Sequence, residues 1–384
     1  GDDAAVPQQR RAGSANSIHS RLQMATILTQ APALAELAER LAQCDRIGLD
    51  TEFMRVRTFL PELALIQLRV DGETLLVDPV ALPQLAPLSA PLRQDAPLKL
   101  MHSASEDLLA LAPVAGGALR GLFDTQVAAA FAGLGAGIGY QRLVQEMLGV
   151  TLPKSETRSN WLARPLSTAQ LEYAAADVEH LPPLHELLLE RLERRGMQAW
   201  CAEECARMAR DAADDSPPDN PHWEFRNGWR WPLDVQARLK RLLAWREEVA
   251  RRIDKPRNWI YDNPGLAALA LEPPRSTVAL GERTRQQRSF PKRELESLLR
   301  LVAQPVTDEE RVLAPIPAPL DDAQEQRFEA LKARVAARAA ELDLPPALIA
   351  SRRVLEAVVR GLADPDETGG WRAQVLGTPL ESAA

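Results

Sequence analysis

Cysteine is scarce in this chain. Cys44, Cys201 and Cys205 are the only three among 384 residues, too few and too scattered for a disulfide framework. Cys201 and Cys205 lie one helical turn apart with no histidine pattern near them, so they read as reduced thiols of a cytoplasmic protein. Long apolar runs are absent too. Nothing approaches the roughly 18 residues that mark a membrane span, so no membrane partner is expected. The first 23 residues are polar, without the apolar centre of a secretory signal. They read as a disordered or added leader before "MATILTQAPAL", which looks like a natural start at Met24. No G-x-x-x-x-G-K-[ST] loop occurs, which argues against an ATP-driven motor.

An excess of positive charge is also missing. The net charge of −7 argues weakly against a nucleic-acid binder, but it is unevenly spread. Residues 1–221 hold 20 Lys/Arg against 29 Asp/Glu, residues 222–300 hold 17 against 10, and residues 301–384 hold 9 against 14. A basic middle segment between acidic ones is either an electrostatic footprint for a polyanion or a solvated, Arg-rich helical surface.

What is present begins with strands. "RIGLDTEFM", "LALIQLRV" and "ETLLVDP" follow one another closely with turn residues such as Asp71-Gly72 between them, which predicts an antiparallel meander. "LKLMHSA" and "GLFDTQ" each run into a helical pattern and predict parallel additions to the same sheet. Ser167 to about Met208 is helical in pattern, with Ser167 as N-cap. "DDSPPDNP" (214–221) reads as a linker, and beyond it come two related helical units. With Pro256 set on Pro345, an offset of 89 residues, Leu242 meets Leu331, Ile253 meets Leu342, Asp254 meets Asp343 and Ile260 meets Ile349. Both copies show a long helix, an Asp-x-Pro break and another helix, the second copy being more degenerate. "APIPAPL" (314–320) is a second proline-rich linker. The expected organisation is a leader (1–23), an α/β domain (24–213), a linker (214–221), a first helical domain (222–300), a linker (301–320) and a second helical domain (321–384).

In "GLDTEF", Asp50 and Glu52 share one face of a strand, because side chains alternate. Two such carboxylates repel unless something positive lies between them. Asp107 follows 57 residues later at a strand–helix junction, and "YAAADV" places Tyr173 and Asp177 on one helical face a further 70 residues on. Singly these are ordinary: a helix N-terminal acid, a half-buried tyrosine, a D-x-E in a strand. Together, four carboxylates gathered at one place need cations, and oxygen-only ligands favour Mg²⁺ or Mn²⁺. Two such ions are a known arrangement for displacement at phosphorus.

"GLDTEF", "HSASEDL" and "YAAADV" resemble, in order, the three motifs of the DEDD exonuclease superfamily. Tyr173, four residues before Asp177, marks the tyrosine subtype; the place of the alternative histidine is taken by Glu172. The tandem helical units resemble HRDC domains, and the domain order resembles the bacterial ribonuclease D family over nearly the whole chain after Met24. "KSETRSNWLARPLS" (154–167) resembles the segment that precedes the third motif there. The resemblance implies an α/β RNase H-like exonuclease domain, a mixed sheet with flanking helices, followed by two all-α HRDC-like domains. It implies 3′–5′ hydrolysis of RNA, with tRNA precursors and other structured RNAs as substrates and nucleoside 5′-monophosphates as products. Asp50, Glu52 and Asp177 would hold two divalent ions, Asp107 would act through water or as an outer ligand, and Tyr173 would orient the attacking water.

Other residues are candidates for contact with RNA: His102, Arg158, Trp161 and Arg164 near the terminal nucleotides, and Lys255, Arg257, Trp259 and Tyr261 on one turn of the first helical unit, where basic and aromatic groups suit backbone contacts and base stacking. Trp161 could equally plug the domain surface, and at least one of Trp259 and Ile260 is expected in a bundle core. His180 and His185 read as structural. A DNA 3′–5′ exonuclease remains open, because nothing in the catalytic residues reads a 2′-hydroxyl. An inactive scaffold would have lost a motif carboxylate, and all four are present.

Overall fold

A computed structural model describes residues 25–152, 156 and 159–376. Its sheet has six strands: β1 (Thr26–Leu28), β2 (Arg46–Met54), β3 (Glu62–Val70), β4 (Glu73–Val77), β5 (Leu98–Met101) and β6 (Leu122–Asp124), in the order β1-β4-β3-β2-β5-β6. β2, β3 and β4 form the expected antiparallel meander, and β5 and β6 add in parallel beside β2. The three-residue edge strand β1, parallel to β4, is missing from the sequence reading because a run that short has no alternation to detect.

Helices α1 (Ala31–Leu41), α2 (Ser89–Arg93), α3 (Ser105–Ala115), α4 (Thr125–Phe131), α5 (Tyr140–Leu148), α6 (Thr168–Glu179), α7 (Leu181–Arg195) and α8 (Gln198–Ala213) surround the sheet. Alternation along β2 decides which helix each residue meets. Ile47 and Leu49 share a core with Ile66, Leu68, Leu108 and Leu111 on the α3 side. The other face, with Leu65 and Leu76, packs against Ala174 of α6. Gly48 lies on that second face, where a Cβ would come within 3.1 Å of the Val178 carbonyl, so glycine lets α6 lie close to the strand.

The helical region bears out the 89-residue repeat. α9 (Leu233–Ile253), α10 (Arg257–Ile260) and α11 (Asn263–Leu271) are followed by α12 (Thr277–Thr284), α13 (Leu295–Ala303) and α14 (Asp308–Arg311); α15 (Asp322–Leu342), α16 (Pro346–Ile349) and α17 (Arg352–Arg360) then repeat α9–α11 residue for residue at that offset, before α18 (Pro365–Thr368) and α19 (Gly370–Leu376). Asp254 and Asp343 end the two long helices in the left-handed conformation, each at φ 50°. The first unit has its own core around Leu239, Leu242, Leu266 and Leu298. The second does not: Phe328, Leu355 and Trp371 belong to the same apolar cluster as the α3 side of the sheet. The second proline-rich stretch is strapped down, its Ala314 carbonyl accepting from Trp223 Nε1 at 3.1 Å and its Ile316 N–H donating to Gln236 at 2.7 Å.

Candidate active site

β2 supplies Asp50 and Glu52, and α6, packed over that face, supplies Asp177. One carboxylate oxygen from each lies within 4.8 Å of the other two. α6 is set in place by a reciprocal cap: Ser167 Oγ accepts from the Gln170 N–H at 3.2 Å, and Gln170 Oε1 accepts from the Ser167 N–H at 2.9 Å. Asp107 comes from the first turn of α3 on the opposite face. Thr51, whose side chain points to that face, donates its hydroxyl to Asp107 at 2.5 Å. Asp107 is therefore close to the trio without being part of it.

The electrostatics show what the cluster lacks. Burial, and then the charges of Asp107, Asp177 and Glu52, push Asp50 well above the ordinary carboxyl range. Burial with the neighbouring acids raises Glu52 to about 8. Burial raises Asp177 to about 7, against the hydrogen bond it shares with Tyr173, and raises Asp107 to about 6 against that from Thr51. Gln67 faces Asp50 directly across the β2–β3 ladder. It is fully buried, yet neither side-chain atom has a hydrogen-bond partner among the described residues. An all-oxygen donor set, mutual repulsion and an orphaned amide beside it fit a site for divalent cations.

The structure brings Tyr173 to the same place, its ring 6.0 Å from that of Trp161. His102 is half-buried. Its Nδ1 meets Thr125 Oγ1 at 2.9 Å and its ring packs 5.4 Å from Tyr140. Tyr140 in turn donates to the Ala176 carbonyl at 3.2 Å. Burial holds His102 below the usual histidine range. Thr51, Gln67 and Tyr140 escaped the sequence reading; Gln67 alone carried a signal, as a polar residue inside the apolar run of β3.

Three expected RNA contacts are corrected. Trp161 is 1% exposed and packs with Leu65 and Ala174, so its ring has no free face for a base. Arg164 is committed to Asp78 at 2.6 Å and to the carbonyls of Trp161, Ala163 and Ala64. Tyr261 is 1% exposed in the core of the first helical unit. Arg158 lies outside the described residues. Lys255 donates to the Arg57 carbonyl at 3.2 Å, and Arg257 pairs with Glu247; both therefore already hold protein partners. Trp259 is half-buried, with the Arg288 guanidinium 3.6 Å from its ring centroid. Beside the β2–β3 connection opens a cleft of about 1200 Å³, lined by Arg55, Phe59, Pro217, Lys240, Arg251 and Trp259 among others.

The domain that carries this carboxylate cluster is similar to known 3′–5′ exonucleases. A family model described as "3'-5' exonuclease" matches residues 25–193, and one described as "HRDC domain" matches residues 235–301. Ribonuclease D of Xanthomonas oryzae pv. oryzae is 42% identical over 344 residues, covering 89% of this chain and 94% of that protein. Ribonuclease D of Escherichia coli K12 is 34% identical over 369 residues, 93% of this chain and 97% of that one. The crystal structure of E. coli RNase D, "an exoribonuclease involved in structured RNA processing", superposes with a TM-score of 0.81 at 31% identity, over 94% of this chain and 98% of that one. The chain belongs to the ribonuclease D family of 3′–5′ exoribonucleases.

Proposed function

We propose that Asp50, Glu52 and Asp177 hold two divalent ions, Mg²⁺ or Mn²⁺, with Asp107 reaching the second through water, and that the chain removes nucleoside 5′-monophosphates one at a time from RNA 3′ ends. The observation that carries this is the convergence of three carboxylates on one point with raised proton affinities. Bound ions would supply charge neutralisation at the scissile phosphate and a more acidic attacking water. Tyr173, held against Asp177, orients that water; a phenol with an ordinary pKa near 10 is a poor base at neutral pH. Glu52 is also assigned to the terminal 3′-hydroxyl, which restricts the reaction to chain ends. The substrates are tRNA precursors and other structured RNAs, in keeping with the structured RNA processing ascribed to the E. coli enzyme and with the excess of 17 basic over 10 acidic residues in 222–300. Free thiols at Cys44, Cys201 and Cys205 suit a cytoplasmic location.

One 3′-tailed hairpin, prepared as RNA and as DNA and labelled at the 5′ end, tests the reading. Wild type with Mg²⁺ or Mn²⁺ should give a ladder shortening from the 3′ end of the RNA. Chelator should abolish the ladder, and Asp50→Asn should slow it by roughly 10³-fold or more. A ladder mainly on DNA would overturn the substrate assignment, and binding without shortening would overturn the chemistry.

A further inference from the structure

The corner at which each long helix breaks meets the exonuclease domain in both helical units. Asp343 accepts from Arg195 Nη1 at 3.2 Å, while the carbonyls of Leu342 and Asp343 accept from Nη2 at 2.6 and 3.1 Å. Asp254, 89 residues earlier, accepts the backbone N–H of Phe59 on Oδ1 at 2.9 Å. The Phe59 ring is 9% exposed and packs on Val249, Ala250 and Ile260. The guanidinium carbons of Arg251 and Arg257 lie 4.7 and 4.3 Å from its centroid, a cation–π arrangement. Lys255 adds its bond to the Arg57 carbonyl.

The two corners hold different things. Arg195 ends a helix of the scaffold, whereas Phe59 sits in the connection between β2 and β3. That connection leaves β2 at Met54, two residues beyond Glu52, and the β2–β3 register slips between Glu52 and Phe53. A bulged strand end has fewer ladder bonds to fix its direction, so what grips the connection bears on where Glu52 points. The near side is tied by Arg55 to Glu106, the neighbour of Asp107, at 2.5 Å. The far side is tied by Phe59 to the first helical unit.

We propose that the Asp-x-Pro corner of the first helical unit positions the active site: through Phe59 and Asp254 it fixes the β2–β3 connection, and with it the direction of Glu52. This rests on the exoribonuclease reading of the Asp50–Glu52–Asp177 site. It gives Lys255 and Arg257 a docking role in place of the RNA contact expected of them.

The test compares wild type, Phe59→Ala, Asp254→Ala, Asp254→Asn and Arg195→Ala on two substrates, a diribonucleotide and the 3′-tailed RNA hairpin. Phe59→Ala and Asp254→Ala should lower kcat on the diribonucleotide roughly tenfold or more, since small misplacements are costly at a reacting centre. Asp254→Asn keeps an acceptor and tolerates the left-handed backbone, so it should stay within about twofold of wild type. Arg195→Ala loosens the equivalent second corner and should leave diribonucleotide kcat unchanged even if the melting temperature falls. The proposal is overturned if Phe59→Ala raises only KM on the hairpin, or if Arg195→Ala loses as much kcat as Phe59→Ala, which would make the loss one of general stability. Wild type inert toward both substrates would overturn the exoribonuclease reading itself, and the proposal with it.

Discussion

Glu52 and Asp177 keep their protons to about pH 8 and about pH 7 in the folded chain, against about 4 for an unfolded carboxyl. A group that binds its proton more tightly when folded favours folding fully below its unfolded pKa, and that contribution is lost as pH rises through the folded value. The buried histidines run the other way. Burial depresses His102 and His180, and takes His185 to about 4, so they penalise folding only below about pH 6.5. Buried Lys99, held down to about 8, restores stability only as pH climbs past that value, so between about pH 6.5 and 7.5 the carboxyl cluster sets the slope. The melting temperature of chelated protein should therefore fall as pH rises through that window, and Mg²⁺ or Mn²⁺ should restore it and flatten the dependence. A rise over the same window in chelator would contradict the strained cluster. At this scale the acids were legible because D-x-E and Y-x-x-x-D are local spacings. Thr51, Gln67 and Tyr140 were not, because only the pleat and the packed helices bring them beside the acids. Trp161 and Tyr261 were misplaced since an aromatic residue beside a motif looks the same in sequence whether it faces a base or a core.

Among the elements, α6 brings both Tyr173 and Asp177 to the acids of β2. Its start is fixed by the Ser167–Gln170 capping box, a device readable in sequence from Ser167 and the helical pattern after it. Ser167→Ala should cost about 1 kcal/mol in urea unfolding of the chelated protein, and Ser167→Asp should largely retain it; an unchanged midpoint for the alanine variant would show that packing alone sets the helix. The meander was legible because β2 and β3 are nine residues long each and β4 five, whereas β5 and β6, of four and three residues, were legible only through the longer strand-to-helix patterns around them. The docking of the β2–β3 connection was not, since nothing local to Phe59 announces a partner 195 residues away.

On the scale of the whole molecule, the two helical units are related in sequence and unequal in structure. The first keeps a separate core. The second merges with the exonuclease domain: Trp371 is fully buried, its ring 5.0 Å from Phe131 and its Nε1 donating to Glu204 at 3.1 Å. Arg372 pairs with the same Glu204 at 2.7 Å. The acidic second unit therefore braces the catalytic domain. Trp371→Ala should destabilise that joint core by about 3–5 kcal/mol, moving the exonuclease domain and the second unit together in thermal unfolding. Separate transitions for these two parts would contradict a shared core.

The central claim is that two divalent ions act together on the carboxylates of β2 and α6. The most direct test is the single-turnover rate of shortening of the 5′-labelled RNA hairpin as free Mn²⁺ is raised from far below saturation. A two-ion site predicts an initial slope of about two for log rate against log free Mn²⁺, with Asp177→Asn inactive across the range. A slope near one, or a rate that persists in chelator, would contradict it.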